Sequence, residues 1–591
     1  MKRFILIIWL SGTMVRLLGQ SGNDTFCERV YVQTDKQLYL SGELVLMKVM
    51  TVDPALIPIV FSKVAYVELV DDTLAQVQIK VALTDGIGEG RMQLPPELPT
   101  GTYRLIAYTQ FMRNEGDDVF FEKQIGVANT FLSETAAALR QQGEAALRQQ
   151  GEDALRQQED AALRQQGEAA LRQQEEAADG TSAYLVGLQT DKTNYSTREH
   201  GELVIDGLPG NVHTLSVSIA GKDLMSFDGT EQLTVQKNKQ AKPALLSGEY
   251  LPEYEGHIIT AKIIDNQTGQ TARCDNTLLT GLSFPDRDLC FYTGQITETG
   301  DVRFFTSGIT GTNDIATTVY NSNASWRLDV VSPFVTHFAP IQMPLLIIDS
   351  AYCTQLLQRS VALQVTHYFT DEPVEQINYS EPHFKITPTY SYLLDDYTRF
   401  TTMKEVFIEF ITFARFRRRD GKWELSASVR KGDNSYYGLT PLVLFDGIPV
   451  SDHELIYNYD PLLVERIQTY NYQCNIGGHK LDGIIELNTY RRDVKDMNFD
   501  KSTQIITYEG PQSFEKIVFP DYTTPENRRN RLPDSRHTLL WNPEVPTTGQ
   551  STIRVSFDTS DLTGEYQATV EGLTDDGAVV YATASFIVDS K

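Results

Sequence analysis

The chain has 591 residues, 41% of them hydrophobic, and its 52 Lys+Arg against 78 Asp+Glu leave a formal charge of −26. That hydrophobic fraction supplies ordinary cores and excludes wholesale disorder, and the length implies about four domains at roughly 150 residues each. So acidic a balance excludes the diffuse positive field that nucleic-acid binding needs, and no nucleic-acid partner is expected.

At the N-terminus, Lys2 and Arg3 precede the apolar run Phe4 to Leu10, and small or polar residues lead to Gly19-Gln20. A charged start, a short apolar stretch and a cleavage zone read as a signal peptide over residues 1–20. Arg16 interrupts the run, leaving it too short for the roughly 20 residues of a membrane span. No other segment reads as a transmembrane helix, so an exported mature chain is expected. Cys27 follows Asp24-Thr25-Phe26 with no small residue before it, so lipidation there is not expected. The other cysteines are Cys274, Cys290, Cys353 and Cys474, and any pairing leaves at least one over. Cys274 and Cys290 are close enough in sequence to close a loop; the alternative is buried thiols acting as small hydrophobes.

Residues 21–130 carry short alternating runs such as Val77-Gln78-Ile79-Lys80-Val81, punctuated by Gly, Pro, Asn and Asp. Period-2 patterning between turn signals argues an antiparallel β-sandwich. Gly86-Ile87-Gly88-Glu89-Gly90 has no helix after it and is expected to be a turn.

Residues 134–179 depart from this pattern with an octamer close to Glu-Ala-Ala-Leu-Arg-Gln-Gln-Gly. Its residue types favour helix, and acids four before Arg, as in Glu144/Arg148 and Glu168/Arg172, support one. An eight-residue repeat turns each Leu by about 80°, so Leu139, Leu147, Leu155, Leu163 and Leu171 wind around the helix and form no coiled-coil seam. The expectation is a solvated helical spacer up to about 68 Å long.

Across the spacer lies an internal repeat. Gln33-Thr34-Asp35-Lys36-Gln37-Leu38-Tyr39, then Ser41-Gly42-Glu43, is matched by Gln189-Thr190-Asp191-Lys192-Thr193-Asn194-Tyr195, then Gly201-Glu202. Less the insert, the offset is about 110 residues, the size of one sandwich. A second sandwich is therefore expected over 183–280, with its second strand starting after Gly201-Glu202. The first copy, closed by Leu98-Pro99-Thr100-Gly101-Thr102-Tyr103-Arg104-Leu105, resembles macroglobulin-type sandwiches of the alpha-2-macroglobulin superfamily. Near the C-terminus Leu539-Leu540-Trp541-Asn542-Pro543, Ser551 to Phe557 and Asp561-Leu562-Thr563-Gly564-Glu565-Tyr566 are similar to another sandwich of that superfamily, placed at 515–591. None of the five cysteines lies in the superfamily's Cys-Gly-Glu-Gln thioester context, so covalent protease trapping is not expected.

Between these, residues 281–384 read as a further β-rich domain. Residues 385–500 carry a second resemblance. Leu442 to Asp452 reads as strand, tight Asp446-Gly447 turn and strand. Pro461-Leu462-Leu463-Val464-Glu465-Arg466-Ile467, Gly477-Gly478 and Leu481-Asp482-Gly483-Ile484-Ile485-Glu486-Leu487 follow, with Met403 to Phe407 suiting an early helix. This order resembles the plug domain of TonB-dependent outer-membrane receptors. The resemblance implies binding residues Asp446, Gly447, Pro449, Gly477, Gly478 and Gly483. About 90 residues follow, whereas a 22-stranded barrel at about ten residues per strand needs well over 200, so a plug-like domain without its own barrel is expected.

Chemistry is sparse. The nine histidines show no zinc-ligand spacing, and no nucleophile elbow or phosphate loop is present. Asp71/Asp72 and Asp395/Asp396 read as turn residues. The one basic cluster, Arg415-Phe416-Arg417-Arg418-Arg419, suits either an anionic lipid or acidic partner, or a solvated strand end before the Asp420-Gly421 turn.

The expected fold class is mainly β, with several macroglobulin- or immunoglobulin-like sandwiches, a small α+β plug-like domain and one helical insert. The expected function is that of a non-enzymatic exported protein, periplasmic or peripheral to the outer membrane of a Gram-negative bacterium. Its plug-like domain would dock to or occlude an outer-membrane β-barrel, or another envelope protein, in trans. The alternative is a macroglobulin-like protease inhibitor without a thioester. No catalytic residue, metal or cofactor is expected.

Overall fold

The computed structural model describes residues 25–131, 183–222, 249–369 and 386–590 apart from short gaps, together with 244–245 and 374–376. The signal peptide expected at 1–20 and the octamer repeat at 134–179 lie outside the described residues. The chain is mainly β, with several sheets and few helices. It divides into two units, one of residues 1–254, 335–378 and 512–591, the other of 255–334 and 379–511. Among the described residues no helix is long and apolar enough to cross a membrane.

In the first unit, the expected sandwich is built from two sheets. One joins Arg29–Thr34, Leu44–Val52 and Ile87–Gln93; the other runs Leu38–Leu40, Phe121–Ala128, Gly101–Tyr108, Val64–Asp71, Leu74–Ala82. The last two strands of the second sheet pair as a hairpin, linked by the short turn at Asp72, with φ of 48°. The glycine-rich run is only partly the expected turn. Asp85 and Gly86 turn with positive φ, but Gly88 and Gly90 lie within a strand. A Cβ at Gly88 would sit 2.3 Å from the Ala82 carbonyl oxygen, so its glycine serves close strand approach.

The second sandwich repeats this order, but its strands come from two distant segments. Gly187–Thr190, His200–Asp206 and Thr552–Asp558 form one sheet, and the other runs Ala183–Leu185, Val579–Asp589, Gly564–Thr574, Val212–Gly221, Thr538–Asn542. The short strand after each motif pairs parallel to the last strand of its sandwich, Leu38–Leu40 with Phe121–Ala128 and Asn194–Ser196 with Val579–Asp589. Leu203, Leu215 and Val217 share one core with Val555, Phe557, Val570 and Phe586. The sequence-based boundaries at 183–280 and 515–591 are thus corrected to one sandwich, interrupted where the first has its Asp72 turn. Each sandwich also has the same closing corner: the Tyr103 hydroxyl donates to the Pro99 carbonyl at 2.8 Å, and that of Tyr566 to Leu562 at 3.1 Å.

The opening corners match too. Tyr39 donates to Asp35 at 2.8 Å, and Leu40 N donates to Glu43 at 3.1 Å. Tyr195 donates to Asp191 at 2.6 Å, and Ser196 N donates to Glu199 at 2.6 Å. Glu199, not the expected Glu202, therefore takes the place of Glu43. Gly201 is required for another reason: a Cβ there would come within 2.7 Å of the Tyr195 and Phe557 rings.

Asp35 also joins the two sandwiches. Its carboxylate accepts from Thr538 Oγ1 at 2.8 Å, its carbonyl from Ser218 Oγ at 2.5 Å, and Ser216 Oγ donates to Gln33 at 2.7 Å. The buried Lys48 ammonium donates to Thr214, and Tyr31 to Glu571. Residues 353–369, expected within a β-rich domain, instead form the helix Cys353–Phe369 of the same unit. Leu356 packs with Leu38 and Leu40, and buried Arg359 grips Glu43 at 2.7 and 2.6 Å while donating to the Leu38 carbonyl.

In the second unit, a third sandwich pairs two four-stranded sheets. One runs Gln295–Ile296, Asp301–Phe305, Ile258–Asp265, Trp326–Val330; the other runs Phe291–Thr293, Thr280–Ser283, Thr312–Val319, Thr503–Glu509. Its last strand again returns from far along the chain, so the domain expected at 281–384 begins earlier and closes later. The module at 387–489 is inserted between Trp326–Val330 and Thr503–Glu509.

Candidate functional site

The module at 387–489 is an α+β structure. The long hairpin Val464–Ile476 and His479–Thr489 forms its centre, flanked by Leu442–Phe445 in parallel on one side and by Tyr390–Leu393 and Lys422–Lys431 on the other. The expected early helix is present as Met403–Glu409. Thr402 caps it, accepting from Glu405 N at 3.3 Å and donating its hydroxyl to the Glu405 carboxylate at 2.8 Å. Met403, Val406 and Phe407 face a core with Phe445, Ile467, Ile485 and Leu487.

Four of the residues implied as binding groups by the plug resemblance, Asp446, Gly447, Pro449 and Gly483, are interior ones. Asp446 and Gly447, with φ of 47° and 80°, make the expected two-residue turn between Leu442–Phe445 and Ile448–Pro449. The buried Asp446 carboxylate accepts from Thr489 N and Thr489 Oγ1, both at 2.6 Å, which fastens the turn to the central hairpin. Pro449 is buried beside Leu444. A Cβ at Gly447 would lie 3.0 Å from the Phe284 carbonyl oxygen. Gly483, with φ of 88°, stands opposite a register shift between Tyr470 and Gln473, as a glycine facing a bulge does. Gly477 and Gly478 lie outside the described residues.

What the module presents outward is different. At one end the Pro461–Leu463 turn, capped by Asp460 accepting from Leu462 N at 2.9 Å, leaves Leu462 and Leu463 half exposed, at 50% and 52%. Arg399 holds this turn by donating to the carbonyls of Pro461, Leu462 and Val464 at 2.9 to 3.2 Å. Tyr490, also half exposed, donates its N–H to the Leu463 carbonyl and its hydroxyl to Asp395 at 2.5 Å. Leu462 and Leu463 are thus held outward by the hydrogen bonds of their own turn, with their apolar side chains left half in water.

A second outward feature is the antiparallel ribbon Ala414–Arg419, Lys422–Lys431 and Asn434–Leu439. Leu425, Ala427 and Val429 point inward, so Arg415, Arg417, Arg419, Lys422 and Arg430 share the outer face. Gly438, with φ of 80°, is the extra residue of a bulge, and Tyr437 on the same outer face is 70% exposed.

Among the described residues His453, Cys290 and Cys474 are interior titratable groups with shifted protonation. Burial pushes His453 down to about 4, and its Nδ1 accepts from Leu425 N at 3.0 Å, so it is a neutral interior side chain. Burial pushes the Cys290 and Cys474 thiols up, away from nucleophilic thiolate. Cys290 is a free thiol, so the loop closure considered for Cys274 and Cys290 is not formed, and Cys27 and Cys474 are free as well. Among the described residues no group of three or more His, Cys, Asp or Glu is placed to hold a metal ion.

No protein-family model matches the chain, and no curated protein matches it. Among solved structures it is similar to a Salmonella alpha-2-macroglobulin reacted with methylamine, at 11% identity and TM-score 0.24, over 97% of this chain and 40% of that one. A trypsin-activated alpha-2-macroglobulin from Escherichia coli aligns at 10% identity and TM-score 0.22, over 96% and 42%. The Yersinia pseudotuberculosis adhesin InvE aligns at 8% identity and TM-score 0.13, over 53% and 63%. The chain thus spans about two-fifths of the macroglobulins' length, and likeness at this level carries no conclusion about function.

Proposed function

We propose that this chain is a non-enzymatic, exported binding protein of the cell envelope, whose sandwiches hold the plug-like module so that it docks an outer-membrane β-barrel in trans. The observation that carries the reading is the Leu462–Leu463 turn, held outward by Arg399 and flanked by Tyr490. Half-exposed leucines gain by being buried against a partner, and tyrosine is enriched among the residues that dominate protein contacts. Docking then works by burying the leucines against the partner, without a catalytic step, and the Asp446–Thr489 fastening keeps the module rigid while it happens.

The test is affinity capture from detergent-solubilised envelopes with the full chain and with Leu462→Asp/Leu463→Asp. A barrel protein captured by the first and lost by at least tenfold with the second supports docking through this turn. Equal capture, or no barrel with either, overturns it.

A further inference from the structure

We infer that the outer face of the ribbon at 414–439 is a binding strip for a linear acidic polysaccharide. This goes beyond the docking reading and rests on a different surface of the module.

Between residues 415 and 431 the chain has seven Lys or Arg against two Asp or Glu, inside a protein whose formal charge is −26. Strand alternation places five of the seven on one face. Arg415, Arg417 and Arg419 follow one another at about 6.8 Å along one strand, and Lys422 and Arg430 mark the two ends of the next. Among the described residues Arg419 is paired with Glu424 at 3.4 Å and Lys422 with Asp452 at 3.7 Å, whereas Arg415, Arg417 and Arg430 have no ion-pair partner. Three guanidinium groups with unused donors on one exposed face repel one another, and an anionic ligand relieves that repulsion while accepting paired N–H bonds. A Cβ at Gly438 would come 3.3 Å from Arg417 Nη1, so the glycine leaves the guanidinium room to lie across the strands.

The shape selects the ligand. Lys422 to Arg430 spans roughly 27 Å, while two to three strands are only about 10 Å wide. A strip of that outline offers far less than the about 800 Å² per partner of a stable protein interface, which disfavours a folded acidic protein. The outer face carries Ser428, Ser435 and Tyr437 among its cations, with one acid, Glu424, which is paired to Arg419, and no exposed aliphatic side chain to insert into lipid. A chain of acidic sugars matches it. Carboxylates or sulfates at sugar-length intervals meet the arginine row, hydroxyls meet the serines, and the open Tyr437 ring offers a flat surface to a pyranose. The bulk charge of the protein repels such a polymer, so binding must depend on this strip.

The test measures binding of the full chain to alginate, to neutral dextran and to vesicles containing phosphatidylglycerol, with Arg415→Ser/Arg417→Ser/Arg430→Ser and Tyr437→Ser as variants. Circular dichroism and thermal unfolding of both variants establish that they remain folded. The expected result is binding to alginate but not dextran, weakened at least tenfold by the triple substitution and with a reduced salt dependence. Tyr437→Ser weakens binding severalfold and leaves the salt dependence unchanged. Equal alginate binding by the triple variant, no alginate binding at all, or vesicle binding as tight as alginate binding overturns the proposal.

Discussion

Gly42 and Arg198 occupy the same left-handed backbone position in the two sandwiches, at φ of 88° and 54°. They lie 156 residues apart, as do Tyr39 and Tyr195, and Glu43 and Glu199. The motif copy is therefore in perfect register without its glycine. Arg198 occupies a strained conformation while its guanidinium bonds Asp561 at 2.6 Å through both Nε and Nη2.

Arg198→Ala loses that bidentate pair and keeps the positive φ. Arg198→Gly loses the pair and relieves the strain. Arg198→Gly is expected to be about 1 kcal/mol more stable than Arg198→Ala, read from urea unfolding midpoints. Equal stabilities would show that the left-handed position stores no strain.

Glu43 and Arg359 form a buried pair between the first sandwich and the helix Cys353–Phe369. Burial alone would raise the Glu43 carboxyl, but Arg359 and Lys36 hold it well below the usual carboxylate range. The unfolded chain then binds more protons than the folded one in acid, so this stability is present above about pH 4.5 and declines as pH falls. Arg359→Met is expected to cost about 3 kcal/mol, because it leaves Glu43 buried with Lys36 as its remaining cation. Adding Glu43→Gln to it recovers part of that loss, as measured by a double-mutant cycle.

Glu89 and Lys48 sit opposite each other on neighbouring strands. Burial pushes Glu89 up to about 8 and Lys48 down to about 8. The folded state binds the Glu89 proton over the range from about 4.5 to 8 where the unfolded chain releases it, so this contribution falls as pH rises through that window. Lys48 contributes the opposite slope, and only above about pH 8. Between pH 5 and 8, Glu89→Gln is therefore expected to flatten the decline in Tm; an unchanged slope would contradict the placement of Glu89.

How much of this was legible in the sequence follows from where each strand finds its partner. Every strand of the first sandwich lies within residues 29–128, so alternation and turn residues specify it. In the second, Ala220 pairs with Thr538, and no local pattern announces a partner that far along the chain. The helix Cys353–Phe369 was hidden because buried Arg359 and Ser360 interrupt its apolar face. The Asp446–Gly447 turn was readable, since both positions need positive φ and the residue types declare it. Their burial was not, and nothing in the Pro461 to Ile467 stretch marks Leu462 and Leu463 as outward; Arg399, distant in sequence, fixes their turn that way.

The split sandwich has a direct consequence for protein engineering. Replacing residues 224–535 by Asn-Gly should restore the short turn that the first sandwich has at Asp72. Combined with Glu43→Gln, because Arg359 is removed, this variant is expected to unfold cooperatively in urea as a folded pair of sandwiches. A molten or non-cooperative product would contradict the shared core of Leu215 and Phe586.

The central claim, that the module meets its partner through the Leu462–Leu463 turn, is tested most directly by a photo-crosslinking side chain placed at Leu463 in living cells. A matched control carries the probe at Val361, a 61% exposed helix position outside the module. The account predicts a specific adduct with an outer-membrane barrel protein at Leu463 and none at Val361. No barrel adduct at Leu463, or the same adducts at both positions, would contradict it.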